Sequence, residues 1–218
     1  MLKKLPLFVR HTFYHDLKAG MLFGVFGGAF QPFIAIVGRK IGATEFQIAL
    51  LISAPYVANA FSIFWTEDIF GKGRVWYTVW PNVIGRAVLF AMLFVSSPLN
   101  YTIIIFLYML VTAIAFPSYA SVMKTNYPER ERGRLMGYIR IGTACLWIIS
   151  SMIAGWILEK GTDNYHYIFP FAAIFGILSA IEFGKIKVRR EEKKKEGLAA
   201  LSHITAPFKN MPFRRFLV

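Results

Sequence analysis

The sequence predicts an all-α membrane protein of six transmembrane helices, and three observations carry that prediction. First, the 218 residues are 56% apolar, and the charges gather between long apolar blocks, where a soluble domain would intersperse them. Second, the blocks are each near the ~20 residues that cross ~30 Å of hydrocarbon. Third, the loops alternate in charge. Those on the side of the N-terminus hold twenty basic residues, while those on the other side hold Arg39, Lys40 and Lys160. The positive-inside rule then puts both termini in the cytoplasm, here of a bacterial-type plasma membrane.

Residues 1–19 read as a basic amphipathic lead-in lying at the cytoplasmic interface. They carry Lys3, Lys4, Arg10 and Lys18, with His11 and His15 on one helical face. The apolar part is short and lacks a small-residue cleavage site, so no removable signal peptide is expected. Residues 20–183 form the six-span bundle. The first span, 20–38, is free of charge and contains Gly24, Gly27, Gly28, Gln31 and Pro32. The second, 46–65, is uncharged and carries Pro55 and Asn59. The third, 75–97, holds Pro81, Asn82 and Arg86, and the fourth, 101–123, contains Pro117. The fifth, 135–158, has Arg140 near its start, and the sixth, 165–183, ends beside Glu182. Isolated strands leave backbone groups unpaired in lipid, and barrel strands alternate apolar and polar residues. These runs do not alternate, so helices are the remaining choice. Residues 184–218 read as a basic cytoplasmic linker able to touch anionic head groups. It leads towards a further membrane half that follows or is encoded separately.

The net charge of +13 and a pI near 10.0 are also the mark of nucleic-acid binders. Here the basic residues sit at the ends of apolar runs, not on one soluble face, so nucleic acid is not an expected partner. Cys145 is the one cysteine, which leaves no disulfide. No cofactor and no metal site are expected, and the expected partners are the bilayer and an unidentified small solute.

The most polar interior stretch is 124–142, with five basic residues, and its first part, 124–134, forms a tight turn between two membrane-length runs. Its Tyr127-Pro128-Glu129-Arg130-Glu131-Arg132-Gly133-Arg134, followed by Gly137, is similar to the loop between the fourth and fifth spans of major facilitator superfamily transporters. The stretch 41–48 resembles that family's outer loop entering the second span. The closing Phe208-Lys209-Asn210 and Phe213-Arg214-Arg215-Phe216 resemble its lead-in to a seventh span. The chain is thus similar to the N-terminal six-helix half of such a transporter. The resemblance implies a bundle built as an inverted three-plus-three repeat. It also implies transport by alternating access, in which two bundles rock about a site near the bilayer midplane. The second bundle would be another six-helix half or a second copy of this one.

Candidate residues each carry two readings. Gln31 and Asn59 lie mid-span in helices that line the cavity in the family, and serve either as solute donors or as interhelical hydrogen bonds. Arg86 lies about a dozen residues into its span, where an unpaired charge costs several kcal/mol. It is either an anion or coupling-ion contact or a structural partner of a helix carbonyl or an acid. Arg140, Thr143, Trp147 and Ser150 or Ser151 share one face of the fifth span, which suits a cavity wall, although Arg140 is close enough to the loop to snorkel there. For the cytoplasmic gate, Arg130, Gly133 and Arg134 of the central turn face the loop at 65–74. That loop matches part of the family's signature with Asp68, Gly71 and Lys72, and the arginines could bridge to Glu67 or Asp68. The leading expectation is secondary transport. The alternatives are a non-transporting six-span scaffold or truncated product, and a membrane-embedded enzyme. The enzyme lacks support because all four histidines lie at or outside span ends and no acid pair lies mid-span.

Overall fold

The computed structural model describes residues 5–61 and 74–188, and every element among them is helical. Five helical stretches are long and apolar enough to cross a membrane. They are the first, third, fourth, fifth and sixth of the expected spans. The second is described over Glu45–Phe61, 17 residues.

The helix of the first span begins at Leu7 and runs unbroken to Phe30, so most of the expected lead-in is continuous with the span. No Gly-Pro break separates the two, and one face has somewhere to pack. Val9, Phe13 and Ala19 are buried with Val122, Met123, Tyr127, Leu135, Ile139 and Phe183 from three other spans. Burial of that apolar face holds the segment against the other spans.

After Phe30 the chain makes a 3₁₀ turn, Gln31–Phe33, and re-enters an α-helix at Ile34–Lys40. Pro32 causes the break. It has no N–H to give the carbonyl of Gly28, four residues back, and its ring crowds that carbonyl. The freed oxygen is satisfied from outside, since Ser151 Oγ of the fifth span donates to Gly28 O at 2.9 Å. Ser151→Ala removes that donor and is expected to destabilise the folded protein by about 0.6 kcal/mol. Unfolding in mixed micelles measures this, and an unchanged midpoint would mean the carbonyl finds another partner.

The third span runs as Arg74–Val88 and continues as a 3₁₀ segment, Leu89–Phe94. The fourth is two helices, Pro98–Ala113 and Ala115–Asn126. It opens with Ser97 accepting from the Asn100 amide at 3.2 Å, as an N-cap should. The fifth, Glu129–Lys160, is 32 residues, or ~48 Å, so its first turns stand clear of the ~30 Å hydrocarbon layer. The sixth is Tyr165–Gly184. Of these span prolines, Pro32 breaks its helix, whereas Pro55 and Pro81 sit inside uninterrupted ones.

Among the described residues the first span packs along the fifth and the sixth. The fourth packs against the second and the third, and the third against the sixth. The core between them is aromatic. Phe30 stacks on Phe26 at 5.4 Å and meets Tyr108 and Phe169 edge-on at 5.3 and 4.9 Å. Tyr101, fully buried, donates to Ile34 O at 2.8 Å, tying the fourth span to the chain just after the Pro32 break. Large apolar side chains such as Phe46, Tyr56 and Phe94 are exposed on the outside, as lipid-facing positions require.

Candidate functional site

Two polar centres stand out in this apolar bundle. One is Arg86, 5% exposed between the third, sixth and first spans. Its Nη1 donates to the backbone carbonyl of Gly176 in the sixth span. Its Cζ lies 5.5 and 5.1 Å from the ring centroids of Phe23 and Phe26 in the first, close enough for cation–π attraction. Nε is buried without a hydrogen-bond partner. The room exists because residue 176 is glycine, where a Cβ would stand 2.7 Å from Arg86 Cδ. Among the described residues no carboxylate pairs with this guanidinium, which is held by one carbonyl and two ring faces.

The second centre lies where the first span begins and the sixth ends. Asp16 is 2% exposed, and Tyr127 Oη donates to its Oδ2 at 2.9 Å. The Arg140 guanidinium of the fifth span acts on the same carboxylate from longer range. Asn126 Nδ2 donates to Thr12 Oγ1 at 3.2 Å and to Lys187 O at 2.9 Å. His15, the preceding residue on the helix, bonds through Nδ1 to Glu182 Oε1 at 2.8 Å, and Lys185 Nζ donates to the other carboxylate oxygen at 2.6 Å. Arg132 Nη2 donates to Lys124 O at 2.8 Å and Tyr127 O at 3.2 Å, closing the turn between the fourth and fifth spans. Burial and the neighbouring Asp16 charge push the Tyr127 phenol well above its ordinary range, so it remains an O–H donor.

The other expected residues are dispersed. Gln31, Asn59 and Arg140 are exposed on the bundle surface. Trp147 is half-buried over Gly27, where a Cβ would lie 2.2 Å from its ring, and 6.1 Å from the Phe23 ring. Ser150 Oγ donates to Gly24 O at 3.2 Å, and Thr143 Oγ1 stays on its own helix, donating to Ile139 O at 2.9 Å. The fifth-span face that suited a cavity wall is therefore, from Thr143 to Ser151, the contact with the first-span glycines. Hydroxyls and an aromatic pack well against bare backbone, and from sequence that face resembles a wet one. Among the gate residues, Arg130 and Gly133 are exposed, and Arg134 pairs with Glu131 on its own helix at 2.6 Å. Asp68, Gly71 and Lys72, with Glu67, lie outside the described residues. His11 and His15 have ring centroids 4.4 Å apart, and no group of three or more metal-ligating side chains occurs among the described residues.

Asp16, Tyr127 and Asn126 form a buried polar cluster that the residue pattern did not single out. Asp16 is the one acidic residue before Glu45, one turn after Thr12 in a basic segment, where a single acid reads as ordinary surface charge.

The profile of the Major Facilitator Superfamily matches residues 18–218, nearly the whole chain. The chain belongs to the Major Facilitator Superfamily. No curated protein matches it. Membership together with the apolar helices makes this an integral multi-pass membrane protein of a transporter family, one that moves small solutes across membranes.

Proposed function

We propose that this chain is a six-span bundle of a secondary transporter that moves a small solute by alternating access, with both termini in the cytoplasm. The helix packing carries the reading. If spans one and four, two and five, and three and six are exchanged, the pattern of neighbours maps onto itself. That is the relation expected of an inverted three-plus-three repeat. The opposing bundle is a second six-helix half or a second copy of this one. Gln31, Asn59 and Arg140, polar and exposed on the bundle, are the side chains offered to the solute. Arg130 and Arg134 remain candidates to meet Asp68 at the cytoplasmic mouth. The test is uptake of a solute panel, anionic, neutral and cationic, into proteoliposomes holding the chain with its opposing bundle, each under imposed ion gradients. At least one solute is expected to accumulate against its gradient. A protein that inserts and folds but moves none of them would favour a scaffold instead.

A further inference from the structure

We propose that Asp16 is a proton-binding site, and that its charge state decides how firmly the turn joining the fourth and fifth spans is held to the first span. The transport reading neither assigns this residue a role nor is needed for this one. Asp16 is 2% exposed, and its hydrogen bond comes from a neutral donor, Tyr127 Oη, at 2.9 Å. The groups facing it from the surrounding elements are few. They are Tyr127 from the turn, Tyr119 from the fourth span and Arg140 from the fifth. From the sixth span, Glu182 engages His15 and Lys185 on the adjoining face, and it also acts on Lys18. Arg140 attracts the carboxylate from longer range than an ion pair, and it is itself exposed. Arginine does not deprotonate, and the Tyr127 phenol is held protonated. Among Asp16, Tyr127 and Arg140, the proton that comes and goes is therefore the one on Asp16.

The mechanical consequence follows from what the carboxylate holds. Side-chain ties from the turn to the first span run from Tyr127 to Asp16 and from Asn126 to Thr12. The second is amide to hydroxyl and does not titrate. A proton taken from water onto the Asp16 carboxylate converts a charge-assisted O–H···O⁻ bond into a neutral one, roughly half as strong. The same proton cancels the attraction from Arg140. Both effects loosen the turn, and the start of the fifth span with it, from the first span. Loss of the proton restores both.

The test uses the full chain in lipid nanodiscs, without solute. In pH-difference infrared spectra a protonated-carboxyl band is expected that disappears in Asp16→Asn. In Tyr127→Phe the band should persist with its midpoint moved up by about 1 pH unit, because the lost hydrogen bond favoured the ionised form. Amide hydrogen exchange over 124–132, corrected for intrinsic rates, should lose about tenfold in protection as the band appears. In Asp16→Asn that protection should stay low at every pH. A band that survives Asp16→Asn, a midpoint unmoved by Tyr127→Phe, or protection independent of pH overturns the proposal. If Asp16→Asn does not fold, the Tyr127→Phe midpoint and the wild-type exchange profile decide it alone. Absence of uptake by the transporter would leave these readouts untouched.

Discussion

Replacing Gly28 by valine is expected to disrupt the bundle more than any other single change on the first span. A Cβ at position 28 would stand 2.2 Å from the backbone oxygen of Trp147 and 2.3 Å from Ser150 Oγ. A side chain can swing away, but the Trp147 carbonyl belongs to a 32-residue helix and yields only if the fifth span moves as a body. One turn earlier, Gly24 makes the same approach, with its Cβ position 2.4 Å from Thr143 O, so there is no slack to tilt into. Separating the helices also breaks the bonds from Ser150 to Gly24 O and from Ser151 to Gly28 O, which membrane proteins value at about 0.6 kcal/mol each. With overpacking costing about 1–3 kcal/mol, the total reaches about 3 kcal/mol or more. The control is Gly137→Val, where nothing lies within 4 Å of the added atom and little change is expected. Unfolding of both variants in mixed micelles decides the matter. Equal midpoints would mean the two helices are not locked by glycine contacts.

Arg86→Met is expected to separate stability from function. Methionine reaches about as far as arginine's Nε and carries no charge, and it can pack beside Phe23 and Phe26 as a flexible thioether. The change removes a buried guanidinium held by a backbone carbonyl, with its Nε unpartnered. Buried charges replaced by well-packed apolar side chains often leave a protein as stable or more so. The folded state should therefore be within about 1 kcal/mol of wild type or firmer. Uptake, on the solute that the panel identifies, should fall at least tenfold. A variant that unfolds would assign Arg86 to structure, and one that transports normally would remove it from the mechanism. A companion change, Gly176→Ala, places a methyl 2.7 Å from Arg86 Cδ and 3.0 Å from Phe26 Cγ. It should impair uptake while the guanidinium is still present.

The two substitutions show how unevenly sequence reports on such a protein. Gly24, Gly27 and Gly28 are legible as close-packing positions in the sequence alone, since three glycines in one turn and a half of an apolar helix have few other uses. Their partner is not. Thr143, Trp147 and Ser150 have the composition of a wet surface, and only the docking of the fifth span on the first brings them against those glycines. Arg86 is conspicuous from its depth in an apolar run, yet the acceptor it finds is a backbone carbonyl, which no residue name announces. Asp16 is hidden in the opposite way. It sits in a basic stretch where a single acid looks like ordinary surface charge, and it is buried because the helix continues past the expected start of the span and stands against the fourth and sixth.

What the sequence determined by itself is the class, most of the spans and the arrangement of loop charge. Each depends on local quantities: the length of an apolar run, the free energy of a charge in hydrocarbon, and the count of lysine and arginine between runs. The tertiary structure alone decided which helix faces touch. That choice set Thr143, Trp147 and Ser150 against the first-span glycines, gave the Pro32-freed carbonyl its donor in Ser151, and closed Asp16 off from water beneath Tyr127. A helix has apolar residues all round when it must meet both lipid and other helices. Its sequence then carries little information about which side meets which, and packing between backbones supplies the rest.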